Sequence, residues 1–172
     1  MQEVMEQAEG DLRTIHENAD QDENLIQLVT FRIGEEEFGV DILAVQEIIR
    51  LMAITKVPRA PHFVEGVINL RGKVIPIVDM RRRFGLEAIA HDKHTRIIVI
   101  QLEAIVVGFM VDSVSEVLRI PHSTIDQPPA VVSGLESDYI QGVGKLDERL
   151  LVLLDLNKLL SSEERDALSK VG

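Results

Sequence analysis

The 172-residue sequence has no cysteine and no tryptophan. The first absence removes disulfides, thiolate metal sites and cysteine nucleophiles together. The second, beside one tyrosine and five phenylalanines, leaves the core to Val, Ile and Leu, the branched side chains that fill pleated, half-buried surfaces. Long apolar runs are missing too. A helix needs roughly 20 such residues to cross a bilayer, and the longest stretches here, such as RIIVIQL from Arg96, have the length of a strand. The opening MQEVMEQAEGDLRTIHENADQDEN lacks the charged-then-apolar layout of a secretory signal. A cytoplasmic protein without direct membrane insertion is expected.

Positive charge is scarce: 18 basic residues stand against 29 acidic ones, for a net charge of −11. Residues 1–24 hold eight of the acids and one of the bases. They read as a solvated acidic N-terminal arm. Nucleic acid is not an expected partner, because phosphate binding needs a basic face. The triplet Arg81–Arg83 reads as a charged strand end.

Signatures of catalysis are equally thin. GVGKLDER suggests a phosphate loop, but Tyr139 stands where the first glycine belongs and Leu146 where Ser or Thr should follow the lysine. No G-x-S-x-G occurs, Ser133 lies in a Pro-rich stretch, and the carboxylates Glu35–Glu37 fall in a presumed turn. Of five histidines, only His91 and His94 are close, flanking Asp92. A small metal-binding or enzymatic protein using His91, Asp92 and His94 is the alternative reading, although zinc normally takes three or four structurally held ligands. No cofactor is expected.

What the chain does contain is a repeat. At an offset of 69, Phe31 aligns with Ile100, Gly39 with Gly108, Val45 with Val114, Glu47 with Glu116 and Arg50 with Arg119. At an offset of 76, Gly66 aligns with Gly142, Leu70 with Leu146, Val74 with Leu150 and Asp79 with Asp155. The difference falls in PHSTIDQPPAVVSGLESD, a loop by composition. Each copy carries strand signals: Val29, Phe31 and Ile33 alternate with Leu28, Thr30 and Arg32 before a polar turn. The expectation is a mainly β protein of two small five-stranded barrels. The first spans about 25–86 and the second about 95–160, with a link at 87–95. SSEERDALSKVG adds a C-terminal helix over 161–172, with Ser161 and Glu164 spaced as a capping box. LEAIVVG lacks a Gly or Asn turn signal, so the second-copy hairpin is expected to bend differently from the first.

Four segments in order, EEEFGVDILAVQEII, FVEGVINLRGKVIPIVDMRRRF, VVGFMVDSVSEVL and YIQGVGKLDERLLVLLDLNKLL, resemble the successive signatures of CheW, the bacterial chemotaxis coupling family. The resemblance covers about residues 25–165. It implies barrels of the SH3-like kind. It also implies a non-enzymatic adaptor, recruited to membrane-associated receptor arrays, that joins the cytoplasmic tips of methyl-accepting chemotaxis receptors to the histidine kinase CheA through its CheW-like regulatory domain. A receptor groove between the barrels would include Glu47 and Arg71, with Val45, Gly66, Asn69 and Gly108 contacting or shaping it. The kinase would meet the apolar rim of the first copy.

Arg71 has two readings. As a turn residue it is exposed, or pairs with Glu47 or Asp79. As a binding residue its planar fork meets a carboxylate or backbone oxygen of a receptor helix. The second copy keeps its scaffold residues but carries Asp147 at this position, which favours the binding role. Glu47 is less distinctive, because Glu116 preserves its charge.

Overall fold

Opening each copy, β-branched and aliphatic runs form antiparallel hairpins: β1 (Leu25–Ile33) with β2 (Glu36–Asp41), and β6 (Arg96–Leu102) with β7 (Ile105–Val111). The structure, a computed structural model, describes residues 24–127 and 139–171. Almost all of the N-terminal arm and the distal part of the Pro-rich connection lie outside them.

The remaining strands are β3 (Val45–Arg50), β4 (Val64–Leu70), β5 (Lys73–Asp79), β8 (Ser113–Pro121), β9 (Ile125–Asp126), β10 (Ile140–Leu146) and β11 (Arg149–Leu154). They form two sheets. One has six strands in the order β8-β1-β2-β11-β10-β9, the other five in the order β3-β6-β7-β5-β4. The mainly β, two-sheet expectation holds, with β9 as a two-residue sixth strand.

The division along the chain differs from the sequential one, 25–86 and 95–160. Among the described residues, one compact unit takes those up to Ala44 together with those of Val114–Leu159, and the other takes Val45–Ser113 and those from Leu160 onward. Each sheet is thus built from the opening hairpin of one copy and the later strands of the other. One join in each sheet is parallel. Gly39 lies opposite Leu153 in the first unit, and Gly108 opposite Ile77 in the second. The offsets of 69 and 76 convert one pairing into the other, so the two joins are the same event in both copies. The repeat reports which positions are equivalent. It is silent on which copy supplies the neighbour, because both hairpins carry the same apolar pattern and fit either edge.

The core of the first unit includes Ile26, Leu28, Ile120, Leu151 and Leu153. That of the second includes Ile68, Ile75, Ile77, Ile97, Val99 and Met110. Alternation in β1 does not mark an exposed face: Leu28 and Thr30 are as buried as Val29 and Phe31. The Thr30 hydroxyl donates to the Glu116 carbonyl at 3.1 Å and accepts its N–H at 3.2 Å, which satisfies a polar group that would otherwise be costly to bury.

The β6–β7 turn corrects a second expectation. Ile33 opposes Glu36 across the first hairpin and Leu102 opposes Ile105 across the second, so both loops have two residues. Gly34 (φ 64°) and Glu103 (φ 49°) occupy equivalent left-handed positions. Strand pairing imposes the geometry that glycine would favour.

A short helix, α1 (Met80–Arg83), is capped by Asp79, whose side chain accepts the Arg81 N–H at 3.0 Å. The C-terminal helix α2 covers Ser162–Val171. Its capping box is formed: the Glu164 N–H donates to Ser161 Oγ at 3.1 Å, and the Ser161 N–H donates to Glu164 Oε1 at 2.8 Å.

Candidate partner-binding site

NLRG builds a turn before it builds a site. Between β4 and β5, Arg71 and Gly72 both have positive φ, 52° and 86°. Asn69 stabilises the reversal by accepting the Gly72 N–H on Oδ1 at 2.9 Å. The glycine is the residue such a turn asks for. The arginine is not, since a left-handed conformation strains a residue with a Cβ.

The turn carries Arg71 outward, where its side chain is 71% exposed. Its Nη2 donates to Glu47 Oε2 at 2.5 Å. That hydrogen bond, with the attraction of the carboxylate, raises the guanidinium above its ordinary pKa. Glu47 lies on β3 and Arg71 follows β4, the two outer strands in the order of this sheet. The segment that follows β3 is drawn to β4 as well, where Thr55 and Val67 exchange backbone hydrogen bonds of 2.8 Å. A seam therefore runs between β4 and the stretch of β3 with the residues after it, closed by backbone at Thr55 and by the Glu47–Arg71 pair at the turn.

Glu47, Asn69 and Arg71 gather at this seam; the other three residues singled out do not share their exposure. Val45 is 1% exposed and belongs to the core. Gly108 lies in β7, where an added Cβ would come within 2.6 Å of Ile77 Cδ1 and 2.7 Å of Ile97 Cγ2. It is a packing position. Gly66 lets the seam close: at φ 152° it sits at a bulge in β4, and an added Cβ would meet the Thr55 carbonyl oxygen at 2.3 Å. Sequence reading passed over Val74, the exposed cross-strand partner of Asn69. Its even place in an apolar strand masked its outward direction.

The first unit holds the internal comparison. Asp147, at φ 49°, occupies the place equivalent to Arg71 and keeps its backbone shape. The equivalent of Glu47 is Glu116, which pairs instead with Arg149 Nη2 at 2.6 Å. Chiefly through that bond, the Arg149 guanidinium is also raised. A glutamate held by an arginine is common to both units, whereas of the two equivalent left-handed turns the one between β4 and β5 carries an arginine and the other carries Asp147.

The basic triplet is neutralised by carboxylates. Arg81 grips Asp112 through Nε (2.9 Å) and Nη2 (2.7 Å). That fork lifts its pKa against the opposing effect of burial. Arg82 meets Glu65 at 3.0 Å and Arg83 meets Glu164 at 3.6 Å. In the link, Asp92 Oδ1 accepts the His94 N–H at 2.7 Å, as a turn residue does. His91 Nε2 lies 3.8 Å from Glu65 Oε1. Among the described residues, no group of three or more His, Cys, Asp or Glu side chains gathers to hold a metal. Nor is any helix among them long and apolar enough to cross a membrane.

The arrangement offers recognition chemistry: a fork donor, a carboxylate and an amide beside an exposed valine. The model of the CheW-like domain matches residues 27–164. The chemotaxis protein CheW of Klebsiella aerogenes is 41% identical over 146 residues, covering 85% of this chain and 88% of that protein. CheW of Rhizobium meliloti is 41% identical over 141 residues, covering 82% and 91%. Among solved structures, the scaffolding protein TtCheW from Thermoanaerobacter tengcongensis superposes with a TM-score of 0.73 at 35% identity, covering 81% of this chain and 90% of that one. The chain belongs to the CheW-like family.

Proposed function

We propose that the protein is a non-enzymatic chemotaxis adaptor that couples the cytoplasmic tips of methyl-accepting receptors to the histidine kinase CheA, and that it is recruited to receptor arrays through these contacts. The observation that carries this reading is Arg71: an exposed fork donor mounted on a left-handed turn, oriented by Glu47 and flanked by Asn69. A receptor segment offering a carboxylate or backbone oxygen would take over the guanidinium. Glu47 would hold the arginine in place until then. Gly66, Val45 and Gly108 support the site from behind, by letting the seam close and the core pack. The mechanism is scaffolding. Modest contacts on separate surfaces hold the kinase where receptors can bias it, and array stability comes from many linked contacts.

Capture of a CheA fragment and of a receptor cytoplasmic fragment by the wild-type protein and by Arg71→Asp tests the reading. The expected outcome is receptor capture weakened on the order of tenfold or more, with kinase capture and folding unchanged. Equal capture of both partners by both proteins would return Arg71 to the role of a turn residue. Capture of neither by the wild type would remove the adaptor assignment for those partners.

A further inference from the structure

Nine strand pairings make up the two sheets. Cut between the two copies, near residue 94, they divide in a particular way. The pairings β1–β2, β4–β5, β6–β7, β10–β11 and β9–β10 join strands of the same half. The pairings β1–β8, β2–β11, β3–β6 and β5–β7 cross between halves. Every pairing that assembles hairpins into a sheet is thus a crossing one. Both cores divide likewise. In the second unit Ile68, Ile75 and Ile77 come from the first half, and Ile97, Val99 and Met110 from the second. In the first unit Ile26 and Leu28 pack on Ile120, Leu151 and Leu153.

Alone, the first half would keep only hairpins, and the second a hairpin and the β9–β10–β11 set, whose β9 has two residues; neither would have a complete apolar layer. An isolated two-stranded hairpin is marginal in water, and three or more strands over an apolar face are needed for independent stability. We infer that residues 24–94 and 95–171 are obligatory partners of one another. The docking surfaces are the edges of β11 and β5. The partner each takes is a two-residue-turn hairpin, whose second strand, β2 or β7, lies parallel to that edge. Backbone hydrogen bonds supply the attachment. The split cores supply the apolar burial.

The connector between the halves makes this testable on the folded, full-length chain, because residues 87–90 are exposed. Replacing them with a site-specific protease sequence allows the chain to be cut after folding. The expected result is that the fragments co-elute at the size of the uncut protein. Their urea midpoint should fall as the cut protein is diluted tenfold. Fragments that separate in buffer, or a midpoint that does not depend on concentration, would overturn the inference.

Discussion

At the residue scale, Arg71 is in tension with its own backbone. Position 71 asks for Gly, Asn or Asp, and its counterpart Asp147 is such a residue at nearly the same φ. Arg71→Asn should therefore leave the melting temperature within about 2 °C of wild type, measured by circular dichroism, while receptor capture falls as it does for Arg71→Asp. A large thermal loss would mean that the arginine is structural. Gly66 makes the opposite case. Gly66→Ala drives a methyl group into the Thr55 carbonyl at a φ that alanine avoids. It should cost about 2–3 kcal/mol, read as a lower urea midpoint.

The guanidinium shifts also fix a sign. Arg71, Arg81 and Arg149 are raised in the fold, so whatever stability they contribute is complete below the unfolded value. It is lost only as pH rises through the still higher folded value. These arginines contribute no pH dependence between pH 5 and pH 9. Salt is the lever for the Arg71–Glu47 pair, since exposed charges are screened.

At the element scale, the sequence was readable wherever local chemistry determines shape. The capping box at Ser161 and Glu164 formed as spaced, and Ser161→Ala should cost about 1 kcal/mol. Lost helical signal with the β signal intact would be its mark in circular dichroism. The NLRG turn was legible from Gly72 and Asn69. The LEAI turn was not, because its geometry is imposed by β6–β7 pairing on Glu103, a residue with no preference for it. Burial of Thr30 escaped the alternation rule for a related reason: its partner, Glu116, is 86 residues away. Among the candidate site residues, the family resemblance pointed to Glu47, Asn69 and Arg71. It could not separate them from Val45 and Gly108, whose equivalence across the copies reflects packing.

For the whole molecule, the repeat gave the parts and left the assembly open. Offsets of 69 and 76 identify equivalent strands, but hydrophobic pattern alone does not say that a hairpin leaves its own copy to complete the other. Short connections force that outcome. Only Ile42–Ala44 separates β2 from β3, yet the two strands lie in different sheets.

Crossed hairpins have a historical consequence as well. A half-length ancestor with this topology would have been a homodimer of identical subunits, presenting the same turn twice and therefore able to bridge only like to like. Fusion of two such copies through a link like residues 87–95 would release the two faces from symmetry. One kept, or acquired, an arginine that its turn does not favour; the other has the aspartate that its turn accepts. An adaptor proposed to stand between a receptor and a kinase requires such inequality, and breaking a duplicated surface at one position is among the shortest routes to it.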